Sequence, residues 1–318
     1  MASNTETLEL LHSLFGGKPE PLTKVPPPSG YVFNLEMANW AENKVKEAFN
    51  SKWDSEFQLV HYGENYDVMG GSDEFDKEIF DNIQKERMRI GKKPDFLLFH
   101  SSDLPDDFSG FDGEEQAFVD GLVSKAVGAI EVKSSRMDEG TMKRRAEKKR
   151  IQITEMLGEK FGENPPGVAD TNFEGAERDE YKKIKNPWGK MAKPLNFTIT
   201  KKDLTEFYFW IEKYEVRLYY VQCLYDRMYI ISIGKILRIL NDESEKGELW
   251  DFEKKKSGQE AQWRVRLSEG DLLGEIAPKP DLKVKKVDIG LDGKVTPKIE
   301  WTNGGVILQD DTLDSIFK

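Results

Sequence analysis

At 318 residues, with 38% hydrophobic and 11% aromatic content, the chain is long and apolar enough to bury a full core, which excludes a disordered tail. A single cysteine excludes an intramolecular disulfide framework, and three scattered histidines (His12, His61, His100) fall at no metal-ligand or triad spacing, which removes zinc and serine-type chemistry. The net charge of −11 would by itself argue against a polyanionic partner, but the charges are segregated, so their placement decides.

In chain order, MASNTETLELLHSLF is a short amphipathic segment without a signal pattern, and no apolar run reaches the roughly 18 residues of a membrane span. A soluble, cytoplasmic protein is expected. A Pro-rich connector (18–30) closes a first region, 1–33. NLEMANWAENKVKEAFN (34–50) then repeats Met37, Ala41, Val45, Ala48 and Phe49 at helical spacing. Glu42, three residues before Val45 and seven before Phe49, falls on that apolar side, which is unusual for a carboxylate.

FQLVHYG (57–63) alternates like a strand, and DEFDKEIFDNIQKERMRIG (73–91) reads as an amphipathic helix closed by Gly91. KKPDFLLFH brings a short apolar strand with Pro94 and Asp95 at its entrance. The acidic stretch 101–121 is expected to be an exposed excursion, and VSKAVGAIEVKSS is the next strand, a neighbour of the last in one sheet.

From Met137 to about Phe161 a basic helix is expected, with KRRAEKKR (143–150) on it; Lys149 falls within its apolar stripe, and Arg145 and Gln152 border it. A loop (161–175) and a second basic run, KKIKNPWGKMAK (182–193), precede strand LNFTI and a helix capped by Thr200. Two strands follow, VRLYYVQCLY with Cys223 in its core and RMYIISI, joined at Asp226, and a short helix ends near Gly247. Residues 248–318 change to short alternating strands and turns, a small β-rich C-terminal appendage to a core spanning 34–247.

The chemistry concentrates in GAIEVKSSR (128–136). Alternation along the strand puts Glu131 and Lys133 on one face, about 7 Å apart, with Ile130 and Val132 on the other. If Asp95 enters from the adjacent strand, two carboxylates and a lysine converge at one sheet edge. That is a hard-oxygen site for a divalent cation, with magnesium the expected ion: Asp95, Glu131 and the Val132 carbonyl suffice as protein ligands, because magnesium keeps several waters. Such an ion polarises a phosphate and acidifies a water, and Lys133 then orients the water or stabilises transition-state charge. Glu42, facing inward, is a candidate for a second ion or a metal-bound water.

PDFLLF followed by GAIEVKSS resembles the motif of the PD-(D/E)XK nuclease superfamily, with Asp95, Glu131 and Lys133 at its acidic and basic positions. The segment from LNFTITKKDL to IISIGKIL is similar to the part that follows the catalytic core in a group of Type II restriction endonucleases; together these cover roughly residues 36–240. The resemblance implies an α/β (α+β) fold with a central mixed β-sheet flanked by helices. It also implies magnesium dependence and hydrolysis of DNA to 5′-phosphate and 3′-hydroxyl ends. Glu42 matches the acidic residue that many members carry on their first core helix.

Under that resemblance the basic runs are DNA contacts: Ser134, Ser135 and Arg136 leaving the catalytic strand, Arg145, Lys149 and Gln152 on the helix, and Lys185, Asn186, Lys190 and Lys193 around Trp188 in a loop able to reach base edges. The expectation is a Type II restriction endonuclease acting on double-stranded DNA, as a two-fold homodimer if its site is palindromic. A structure-specific repair or recombination nuclease, and a DNA-binding module with a non-catalytic ion cluster, are the alternatives.

Overall fold

A computed structural model describes residues 31–53, 56–63, 85–111, 114–135, 138–141, 143–144, 147–148, 151, 155, 196–253, 262–289 and 295–317. Helix α1 (Tyr31–Trp53) buries the stripe read in its sequence: Met37, Ala41, Val45, Ala48 and Phe49 all lie in the core. Strand β1 (Phe57–His61) follows after a short turn. Residues 85–90 are helical, and Gly91 ends them at φ +77. A Cβ on Gly91 would stand 2.0 Å from the Glu206 carbonyl oxygen, so glycine is required both for the left-handed turn and for that approach.

Strand β2 (Phe96–His100) is buried except at His100. The acidic stretch after it is mostly exposed, as its charge suggests, but it is anchored by a few apolar side chains. Leu104 is buried, Phe108 and Phe111 pack on the core, and helix α2 (Gln116–Val123) buries Val119, Leu122 and Val123. The carboxylates take the outer face and hide an i, i+3, i+4 apolar spacing.

Strand β3 (Gly128–Ser134) carries the site. Of the basic segment after it, residues 139–141, 143, 144, 147, 148, 151 and 155 are described, and all are helical. Strand β4 (Asn196–Thr200) runs into helix α3 (Lys201–Tyr214), where the Thr200 hydroxyl accepts from the Asp203 amide at 3.0 Å as the N-cap. Strands β5 (Leu218–Cys223) and β6 (Arg227–Ser232) and helix α4 (Ile233–Asn241) follow. Cys223 is buried, and burial alone pushes its thiol up to about 12, which leaves it inert.

The C-terminal part comprises β7 (Trp250–Glu253), β8 (Gln262–Arg266), β9 (Asp271–Ala277), β10 (Asp281–Ile289), β11 (Val295–Thr302), β12 (Gly305–Leu308) and helix α5 (Asp310–Phe317). A seven-stranded sheet runs β1-β2-β3-β5-β6-β9-β12, antiparallel throughout except for the parallel β3–β5 pair. The fold is therefore α+β with a central mixed sheet flanked by helices. A three-stranded sheet β4-β8-β7 and the β10–β11 hairpin stand beside it. Residues beyond 248 thus supply small extra β structure and also the two strands that extend the central sheet past β6.

Two cores cover the two faces of that sheet. One joins Leu97, Ala129 and Tyr220 to α2, α3, α4 and the small sheet. The other joins Leu98, Ile130, Val132 and Val221 to α1 and α5, with Phe317 against Tyr219 at 4.8 Å between ring centroids. Among the described residues no helix is long and apolar enough to cross a membrane.

Candidate active site

The site opens where two strands part. Pairing between β2 and β3 ends at Phe96 and Ile130, while β3 continues along β5 to Ser134. Glu131 to Ser134 therefore have a strand partner on one side alone. Asp95 fills the gap: its Oδ2 accepts from the Val132 amide at 2.6 Å, in place of the ladder bond that Pro94 and the turn cannot continue. Amide and carbonyl of one strand residue point the same way, so the Val132 carbonyl faces the same edge as the Asp95 carboxylate. Gly63 closes the other side. Its amide donates to the Asp95 carbonyl at 3.1 Å, and a Cβ there would press on the Asp95 Cα at 3.0 Å.

Glu131 and Lys133 share the face of Ala129, toward α3. Glu131 is 1% exposed; its Oε1 accepts from Lys133 Nζ at 2.5 Å and from Lys92 Nζ. Lys92, itself 8% exposed, also lies 3.7 Å from Asp203 Oδ1. Gln222 holds the Lys133 carbonyl at 3.2 Å. Glu42 approaches from α1, on the opposite face of the sheet, with its Oε2 3.9 Å from His61 Nε2. Asp95 thus lies between Glu131 and Glu42, close enough to feel both charges.

The electrostatics follow from that crowding. Burial pushes the Asp95 carboxyl well above its ordinary range, the Glu131 and Glu42 carboxylates push it further, and Lys92 and Lys133 only partly oppose them. Burial works against the Lys133 ammonium, but Glu131, Asp203 and Asp95 outweigh it and hold its pKa well above the usual value. Asp203 is half-buried, which opposes its charge, yet Lys133 and Lys92 keep it ionised down to about 2. The cluster carries more carboxylate than its two lysines balance.

These residues fit a divalent cation of the hard-oxygen type. Glu131 Oε2 is buried and has no hydrogen-bond partner among the described residues, which is costly for a carboxylate unless something cationic completes it. Among the described residues no three His, Cys, Asp or Glu side chains converge as metal ligands. A donor set of two carboxylates and a backbone carbonyl would suit magnesium, with its retained waters, better than zinc or calcium.

The structure brings Asp95, Glu131, Val132 and Lys133 together, with Glu42 within electrostatic reach. Ser134 ends β3, and the Ser135 amide bonds the Cys223 carbonyl at 2.9 Å. Arg136, Arg145, Lys149, Gln152, Lys185, Asn186, Lys190 and Lys193 lie outside the described residues. Sequence reasoning missed Lys92 and Asp203. Lys92 stands three residues before Asp95 in KKPD, and Asp203 stands three after the cap Thr200, where it reads as a helix-start acid; only the packing of α3 against β3 joins them.

Comparison with known proteins gives one finding: the family described as AccI restriction endonuclease matches residues 17–160 and 166–268, well over half of the chain. No curated protein and no solved structure matches it.

Proposed function

The chain belongs to the AccI restriction endonuclease family, and from that premise we propose that it is a magnesium-dependent Type II enzyme that hydrolyses both strands of duplex DNA at a short specific site. The observation that supports this most is the Asp95–Val132 bond, which carries a second carboxylate to the edge where Glu131 and Lys133 already meet. In this reading Asp95, Glu131 and the Val132 carbonyl hold the Mg2+, which when bound supplies Lewis-acid polarisation of the scissile phosphate and a more acidic water. Lys133, whose ammonium is favoured by its anionic neighbours, keeps its proton and acts as a charged hydrogen-bond donor. It orients the attacking water and stabilises charge on the phosphoryl oxygens in the transition state. Lys92 keeps the Glu131 carboxylate aimed, and Asp203 keeps both lysines charged. Glu42 adds negative field from the far side of Asp95, which raises the site's demand for a cation.

In this reading water attacks the phosphorus and the P–O3′ bond breaks, with O3′ leaving as the hydroxyl, so the ends are 5′-phosphate and 3′-hydroxyl, as the family resemblance implies. Arg136, Arg145, Lys149, Gln152, Lys185, Asn186, Lys190 and Lys193, with Ser134 and Ser135, remain our proposed DNA contacts, on the strength of the basic runs that follow β3 in sequence. A homodimer is the arrangement that cuts both strands of a palindrome with one site per subunit. The test is a digest of plasmid DNA of known sequence, with and without Mg2+, with the ends mapped. Discrete Mg2+-dependent fragments sharing one short sequence at their ends are expected. Cleavage confined to junctions or flaps, or none at all, would overturn the proposal.

A further inference from the structure

Beside the site lies a cavity of about 180 Å³ whose walls come from β1, α1 and the loop after β2. Six consecutive residues, Gln58 to Gly63, line it. Side chains of one strand alternate between faces, so a continuous run can line a space only along the strand's edge. β1 is the outermost strand on this side of the central sheet. The cavity is therefore a trough along the sheet edge, and its Gly63 end abuts Asp95.

Its charge is opposite to that of the chain. The loop wall belongs to the acidic stretch 103–115, and the whole protein carries −11, yet the lining includes Lys46, His61 and Lys93 and no carboxylate. Two of these side chains face acids from outside the lining: the Lys93 ammonium lies 2.7 Å from Glu86, and the His61 imidazole lies 3.9 Å from Glu42. Lys46, exposed on α1, makes no ion pair among the described residues. Ser109 adds a hydroxyl, and at Gly110 nothing crowds the position a side chain would take. A basic, largely polar trough without carboxylates that ends at a carboxylate centre matches a phosphodiester backbone better than an apolar ligand.

Resting on the nuclease reading, we infer that this trough seats the DNA backbone phosphate next to the scissile one, with Lys46 as its principal cation. It sets the register of the cut strand, so that the neighbouring linkage falls at Asp95. Lys46 is a positioning residue and does not touch the reacting atoms.

The test uses the full chain and duplex DNA containing the mapped site, with binding measured from about 50 to about 200 mM salt. Losing one phosphate contact flattens the slope of log K against log salt by about 0.9, so Lys46→Ala should lose about 3-fold less affinity than wild type across that range. KM should rise with kcat little changed, Lys46→Arg should restore both, and Lys125→Ala, an exposed lysine before the far end of β3, should match wild type. Wild-type binding with an unaltered slope in Lys46→Ala, or an equal change in Lys125→Ala, overturns the trough alone. Failure of the wild-type protein to bind or cut DNA overturns the nuclease reading and the trough with it.

Discussion

Two buried charge clusters sit one turn of α3 apart and are built differently. At Glu206, 1% exposed, the carboxylate meets the 5% exposed Arg87 guanidinium in a two-pronged pair, with Arg87 Nε to Oε1 at 3.2 Å and Nη2 on Oε2. Each oxygen is answered and the fork closes. At Glu131 one oxygen takes two lysines, the other takes nothing among the described residues, and the nearby Asp95 feels the charges of both Glu131 and Glu42. The first cluster is finished by folding. The second is left open among the described residues, and in the proposed reading the bound ion completes it.

Breaking the open cluster should act on chemistry. Glu131→Gln and Lys133→Ala should each lower kcat by on the order of 10³-fold or more, with far-UV circular dichroism and melting close to wild type. Near-wild-type turnover in either would dissolve the contrast. Breaking the closed cluster should act on stability: Arg87→Ala strands a buried carboxylate and should cost about 3–5 kcal/mol in denaturant unfolding. A change below about 1 kcal/mol would show that this pair is as open as the other.

How far the two clusters were legible in the sequence follows the same division. Glu131 and Lys133 stand out because they interrupt an apolar β-branched strand, and Asp95 because Pro94 marks a strand entrance. Strand alternation then places them without further information. The Arg87–Glu206 pair, Lys92 and Asp203 were invisible because each lies on a segment whose local pattern is ordinary, and their contact depends on how α3 docks across β3. The buried face of α2 is masked for a compositional reason: the carboxylates around it outnumber its three apolar anchors. The β4–β8 pairing joins strands more than sixty residues apart, a pairing that no local pattern encodes.

Cation binding separates the clusters again. Mg2+ at about a hundredfold excess over its Kd should stabilise the wild type by about 2.7 kcal/mol, read as a rise in Tm, and Asp95→Asn or Glu131→Gln should abolish that rise. An equal rise in those variants would place the ion elsewhere.

The smallest effect belongs to a third, half-buried group in the middle of α2. Burial opposes ionisation of Asp120, but bonds from Lys213 at 2.6 Å, Tyr214 at 2.7 Å and Gln116 at 2.6 Å hold its carboxyl down to about 2. Its folded pKa is below the ordinary value near 4, so its contribution is fully present above about pH 4 and is lost as pH falls through 2. Solvent screening keeps it below about 1 kcal/mol. Asp120→Asn should flatten the acid limb of the stability profile between about pH 4 and 2, and an unchanged limb would remove Asp120 from the account.

The most direct measurement compares wild type with Asp95→Ala on one duplex carrying the mapped site, scoring binding and Mg2+-dependent cleavage in the same preparation. The account predicts binding within a few-fold of wild type and no detectable cleavage. Cleavage at the wild-type rate would contradict it.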